Sequence, residues 1–226
     1  MNTDRLEMPI WWSLEEHHAF YRIEQGGMRR FVDSALPVIA ASAPEADADP
    51  EIWCPAGKRI AFLQHRPPAL PAGLRVVLSA DGVQMVAGPA LQTALAPDPD
   101  IVPLGENDLD AMMTLAEKAK PGPITRHALA IGRFWGIRRE GRLAAMAGER
   151  MRMAGYTELS GVATDPDYRG QGLARRLTVH VAAEILKTGA QPFLHAFATN
   201  ETAIRLYESI GFLHSRSVNY TLIERA

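Results

Sequence analysis

The stretch DPDYRGQGLARRL, residues 165–177, most constrains what this chain can fold into. Before it, YTELSGVAT reads as a β-strand. After it, Leu173, Leu177, Val181 and Ile185 recur every four residues until Thr188-Gly189, the apolar stripe of a helix with a glycine stop. A strand that passes through a glycine turn directly into an amphipathic helix needs a sheet for that helix to lie on. The turn itself is an anion site. A helix start leaves its first N–H groups unpaired and carries about half a positive charge, and phosphate is its natural guest. Gly170 and Gly172 keep side chains out of the way and permit unusual backbone angles. Two common phosphate motifs fail on spacing. Gly172 is followed by Leu173, Ala174 and Arg175 where a Walker loop needs Gly-Lys-Ser/Thr, and Arg175 stands where GxGxxG needs its third glycine.

The elements around the turn are legible by period. GENDLDAMMTLAEKAKPG has an Asn/Asp start, apolar residues at helical spacing and a Pro-Gly stop. The stretch from Arg133 to Thr164, broken by Glu140-Gly141 and Ala154-Gly155, predicts three consecutive antiparallel strands near 132–139, 142–153 and 156–164. PFLHAFA is a short buried strand, Asn200 to Ile210 a helix ended by Gly211, and FLHSRSVNYTLIER a final strand. The order β-α-βββ-α-β-α-β implies an α/β protein with a mixed sheet. ASAPEADADPE (41–51) and ALAPDPDIVP (94–103) look like linkers, so a boundary is placed near residue 100. Upstream lies an N-terminal lobe, residues 1–100, acceptor-defining or dimerising. There Leu14 to Ile23 is a candidate helix, and Asp81-Gly82 inside LRVVLSADGVQMVAG signals a hairpin.

The turn matches RxxGxA through Arg169, Gly172 and Ala174, and is followed by NETAIRLYESIGF, which matches NxxAxxxYxxxGF through Asn200, Ala203, Tyr207, Gly211 and Phe212. At these residues the sequence resembles the GNAT acetyltransferase superfamily, over about residues 101–226. The resemblance implies the GNAT acyl-CoA N-acyltransferase fold and an acetyl-CoA-dependent N-acetyltransferase acting on a primary amine of a small molecule or peptide. It implies that Arg169, Gly170, Gln171, Gly172, Leu173 and Ala174 hold the diphosphate of acetyl-CoA, that Val162, Ala163 and Thr164 flank the pantetheine arm, and that Asn200 and Tyr207 contact the cofactor. Asn200 also makes a good helix N-cap, and Tyr207 shares a face with Ala203 and fits a packed core.

Acetyl transfer to an amine needs a neutral nucleophile, a stabilised oxyanion and a protonated leaving thiolate. A lysine-like amine has a pKa near 10.4 and a thiol near 8.5, so both proton steps benefit from help. The resemblance assigns the acid to Tyr207. For the base, strand alternation groups Glu149 with Leu143, Ala145, Met151 and Met153, and Glu158 with Ser160 and Val162. A two-residue turn at Ala154-Gly155 pairs 151 with 158 and 149 with 160. That puts Glu149, Glu158 and Ser160 on one face, where apolar surroundings would raise a carboxyl pKa into a useful range. The competing expectation is that either glutamate pairs with Arg150, Arg152 or another cation.

Charge narrows the partners. Lys and Arg number 24 against 26 Asp and Glu, for a net charge of -2, which argues against a nucleic-acid or membrane-surface footprint. One cysteine, Cys54, excludes an internal disulfide and a cysteine zinc cluster. The histidines are scattered, so no metal site is expected, and His195 is read as a hydrogen-bonded core residue. No apolar run approaches the ~20 residues of a membrane span and the opening MNTDRLEMPIWW has no signal-peptide core, so the expected location is the cytoplasm. Two other function classes stay open: a non-catalytic acyl-CoA sensor with the same fold, and an interaction module in which MPIWWSLEEHHAF docks on a partner or forms a homodimer.

Overall fold

The computed structural model describes residues 4–32, 39–42, 49–93, 98–122 and 124–226. Upstream of residue 100 it contains α1 (Asp4–Glu7), α2 (Pro9–Glu15), β1 (Arg22–Gln25), β2 (Met28–Phe31), β3 (Ile39–Ser42), α3 (Pro50–Trp53), β4 (Ile60–Gln64) and β5 (Leu74–Ala87). Downstream follow β6 (Ile101–Leu104), α4 (Leu109–Ala119), α5 (Ala128–Ile131), β7 (Phe134–Arg139), β8 (Arg142–Met153), β9 (Tyr156–Thr164), α6 (Leu173–Lys187), β10 (Gln191–Phe197), α7 (Glu201–Ile210) and β11 (Phe212–Arg225). The downstream order is the expected one with the short α5 added. The described strands form one mixed sheet, β1-β2-β3-β4-β11-β5-β10-β9-β8-β7-β6, in which β3 is parallel to β4 and β10 to β9.

The sheet runs on across residue 100, because β5 lies between β11 and β10. Asp81-Gly82 is therefore no hairpin turn: β5 continues through it, paired with β11 from Leu74 to Ala87. Gly82 fits there because strands crowd it from both sides. A Cβ would sit 3.0 Å from the Ala196 carbonyl oxygen and 3.1 Å from Val218 Cγ2. The Leu14–Ile23 helix is also corrected. Pro9 starts α2 earlier and it ends at Glu15. His18 then bonds Ser13 Oγ at 2.8 Å and the Ile131 carbonyl at 3.0 Å, and the chain enters a hairpin of β1 and β2. The linker stretches hold structure too: 41–42 lie in β3, Asp49 caps α3, and Pro103 lies in β6, while 43–48 and 94–97 fall outside the described residues. Proline is tolerated in β6 because that strand ends the sheet order, with β7 its neighbour.

Helices pack over parts of the sheet, while the first half of β5 stays exposed. On one face, Leu173, Leu177, Val181 and Ile185 of α6 pack with Ile137, Leu159, Tyr207 and Phe212. Leu177, Val181 and Ile185 are 0% exposed, and complete burial of each contributes about 1.5–3 kcal/mol. Elsewhere Ile10 and Leu14 of α2 pack with Met151, Met153, Tyr156 and Phe193. The α6 stripe holds the glycine turn at the end of β9, which positions the site.

Candidate active site

Local bonds build a cradle at the start of α6. Asp165, buried at the end of β9, accepts from the Asp167 amide at 3.1 Å and from Lys118 Nζ at 3.0 Å. Tyr168 is buried beside it with its hydroxyl 2.8 Å from Arg142 Nη2. The chain then opens into solvent. Arg169, Gly170, Gln171 and Gly172 are exposed, and Gly170 (φ 78°) and Gly172 (φ 72°) take the left-handed conformation that glycine adopts at least cost. A Cβ built on either would meet nothing within 4 Å, so open space faces both. Gly172 is the N-cap of α6 and offers no capping side chain, which leaves the first amides of the helix to an external acceptor. Arg175 is bound to Ser209 Oγ at 2.7 Å and Gln92 Oε1 at 2.6 Å. Arg176 binds Asp98 at 2.6 Å through both Nε and Nη2. With Arg175 and Arg176 committed to the protein, the cradle presents main-chain donors beside the exposed Arg169, and Leu173 is buried beneath it.

Beside the cradle the sheet parts. The parallel ladder of β9 and β10 covers only Tyr156–Glu158 against Gln191–Phe193, so the strands separate from Leu159 onward. Gly161 (φ 64°) forms a bulge in β9 within this stretch. A cavity of about 130 Å³ opens there. Ser160, Gly161 and Val162 line it from β9, Asn200, Ala203 and Tyr207 from the start and middle of α7, and Ala61, Leu63 and Gly82 from the upstream strands. Asn200 caps α7 as expected, accepting from the Ala203 amide at 3.2 Å, and it also lines this cavity. Tyr207 is 7% exposed, burial pushes its phenol up to about 12, and among the described residues nothing hydrogen-bonds its hydroxyl. Val162 reaches the cavity, whereas the Ala163 side chain packs with Met112 and Leu115 of α4 and Thr164 pairs with Ala145 at the strand end.

The two glutamates do not share a face. Two compensating bulges, one at Gly161 and one in β8 between Glu149 and Arg152, shift the register by one residue between them, so Glu149 lies opposite Leu159 rather than Ser160. A one-residue shift sends a side chain to the other side of the sheet. Glu149 is bound by Arg133 (Nη2 at 2.5 Å) and by Arg152. Glu158 receives Arg150 Nε at 2.6 Å, Arg150 Nη2 at 2.7 Å and His195 Nδ1 at 2.7 Å. The competing expectation, ion pairing, is what the structure contains. Burial alone would raise the Glu158 pKa, but the Arg150 guanidinium, with help from His195, outweighs it and holds the carboxyl at about 2.

Comparisons with known proteins fit this geometry. The family model described as FR47-like protein matches residues 134–221, which run from β7 into β11. A crystal structure of a GNAT-family protein from Novosphingobium aromaticivorans DSM 12444 superposes with a TM-score of 0.90 at 41% identity, covering 98% of each chain. The chain belongs to the GNAT family. A [Ribosomal protein bS18]-alanine N-acetyltransferase from Escherichia coli (strain K12) is 42% identical over 77 residues, 34% of this chain; the match spans about half of that relative, 51% of its length. A GCN5-related N-acetyltransferase from Kribbella flavida shares the fold, with a TM-score of 0.55 at 18% identity over 90% of this chain and 88% of its own.

Four polar residues of this GNAT chain stand at the cavity without having been singled out as site residues: Arg150, His195, Lys120 and Tyr220. His195 is hydrogen-bonded, as expected, but it also lines the cavity. Glu158 fixes its Nδ1, and Gln84 Nε2 donates to its Nε2 at 3.1 Å while also donating to the Leu6 carbonyl at 2.8 Å. The signal for His195 was its place two residues past Phe193, which pairs with Glu158 in the parallel ladder. Nothing local marked Lys120, which reaches the cavity from the end of α4. Among the described residues no helix is long and apolar enough to cross a membrane, and no group of three or more His, Cys, Asp or Glu could hold a metal ion.

Proposed function

We propose that this GNAT chain is an N-acetyltransferase that takes its acetyl group from acetyl-CoA and passes it to a primary amine by direct attack. The single observation that supports this most is the adjacency of an uncapped helix start, with two glycines facing open space, to a parting of β9 and β10 that leads to the Tyr207 hydroxyl. The donor set suits a diphosphate: main-chain amides from Arg169 to Ala174 at the positive end of a helix. Val162 and Thr164 would flank the pantetheine arm, and Asn200 would meet it from α7. Bound acetyl-CoA supplies the reactive thioester carbonyl.

The chain's own residues then do three things. The cradle holds the donor so that the cavity receives its acyl end. Tyr207, protonated at neutral pH as an ordinary phenol is and pushed further up to about 12 by burial, donates a hydrogen bond to the sulfur as negative charge gathers there. The upstream strands, through Ala61, Leu63 and Gly82, wall the side from which the amine enters, which gives the N-terminal lobe an acceptor-defining role. Glu158 does not take the amine's proton, since its oxygens are engaged by Arg150 and His195. The amine therefore arrives neutral; as it replaces sulfur on the thioester carbon, the proton its nitrogen sheds is passed through the Tyr207 hydroxyl to the leaving thiolate, which departs as the free thiol. A coenzyme A release screen over amines, amino acids and peptides tests the proposal. Acetyl-CoA-dependent release with a matching acetylated product supports it, and binding of acetyl-CoA with no release for any amine class rejects transfer.

A further inference from the structure

The cavity is lined by two cations, Arg150 and Lys120, and by no aspartate or glutamate among the described residues. An acceptor has to place an amine there, and a second ammonium on it would meet like charge. Arg150 is held by Glu158 through Nε and Nη2, which leaves Nη1 with no partner among the described residues. Its side chain is 11% exposed, so this donor is presented in a largely enclosed wall by a guanidinium that cannot turn away without breaking two short bonds. Lys120 ends α4 in the left-handed conformation (φ 50°, ψ 56°), a place glycine fills at less cost, and lies at the same cavity. Ser160 and Tyr220 add hydroxyl groups to the lining.

We infer that the acceptor carries a carboxylate close to its amine, and that Arg150 Nη1 and Lys120 receive it. This rests on the N-acetyltransferase reading above and narrows its acceptor to amino-acid-like molecules. The unpartnered guanidinium Nη1, with its two N–H donors, and a flexible ammonium suit a small planar anion, and charge-assisted bonds of this kind are about twice as strong as neutral ones. Arg150 and Lys120 act as specificity residues: they bind the part of the acceptor that does not react.

The test uses the full-length protein and matched acceptor pairs: glycine, β-alanine and L-alanine, each against its carboxamide, with coenzyme A release as the rate and calorimetry with acetyl-CoA as an independent readout. The carboxylate member of at least one pair is expected to have a kcat/KM higher by about tenfold or more, the effect of one hydrogen bond to a charged group. In Lys120→Ala and in Arg150→Lys, which keeps the pair with Glu158 charged, that ratio is expected to fall toward one. Equal use of both members, a preference for the carboxamides, a preference for phosphoethanolamine, or no turnover of any carboxylate acceptor while acetyl-CoA binds would each overturn the inference. Absence of acetyl-CoA binding would overturn instead the reading on which it rests.

Discussion

Arg150 and Glu158 meet across the β8–β9 hairpin as a bidentate pair, Nε to Oε2 at 2.6 Å and Nη2 to Oε1 at 2.7 Å, with side chains 11% and 1% exposed. The pair turns a candidate base into a structural anchor. Removing one partner leaves a buried charge uncompensated, at a cost of about 3–5 kcal/mol, whereas replacing both by apolar residues can be nearly neutral. Arg150→Met is therefore expected to lose about that much stability in urea unfolding, and Arg150→Met combined with Glu158→Leu to recover at least half of it. A loss below about 1 kcal/mol for Arg150→Met would show that the pair is not enclosed.

His18 gives the fold a dependence on pH. Burial holds its pKa at about 4, against a bonded setting between Ser13 and Ile131. The unfolded chain binds this proton near pH 6.5, so the stabilisation is complete above that pH and is lost as pH falls through about 4. The expected loss from this residue between pH 7 and pH 4 is roughly 3 kcal/mol. Urea unfolding across that range should show it, and His18→Gln should flatten the slope; an unchanged slope would assign the effect to other groups.

Among the described residues the Tyr207 hydroxyl has no hydrogen bond to lose, so it can be removed cleanly. Tyr207→Phe is expected to lower kcat about 100-fold while leaving acetyl-CoA affinity nearly unchanged. A kcat within twofold of the parent would take the phenol out of the mechanism.

Glu158 is held at about 2, and the Glu149 oxygens are engaged by Arg133 and Arg152, so neither glutamate is placed to take the amine's proton. The rate is expected to follow the neutral fraction of the acceptor amine, with log kcat/KM rising about one unit per pH unit up to the acceptor's own amine pKa, near 8 for a peptide α-amine, near 10.4 for a lysine-like one and between the two for a free amino acid. A plateau reached well below the acceptor's own pKa, moved by Glu149→Gln or by Glu158→Gln, would restore a carboxylate base.

The parts of this account that were legible in the sequence were set locally. Glu140-Gly141 takes positive φ at both residues, and so the turn between β7 and β8 was marked by its own chemistry. The α6 stripe and the Asn200 cap were likewise written within a few residues. What escaped depends on distant strands. The β8 bulge between Glu149 and Arg152 decides which way Glu149 points, the Gly161 bulge restores the register beyond it, and a two-residue period carries no trace of either. β5 runs through Asp81-Gly82 because β11, more than a hundred residues later, pairs with it on both sides of that dipeptide. Lys120 reaches the cavity only because α4 packs beside β8 and β9.

The central claim is that main-chain donors at the start of α6 grip the diphosphate of acetyl-CoA. Isothermal titration of the parent protein and of Gly172→Val with acetyl-CoA tests it most directly, since the substitution strains the left-handed residue and fills the space in front of the amides. The account predicts saturable binding by the parent that falls at least tenfold in the variant, with far-ultraviolet circular dichroism unchanged. Equal affinity in the two proteins, or no heat of binding in the parent, would contradict it.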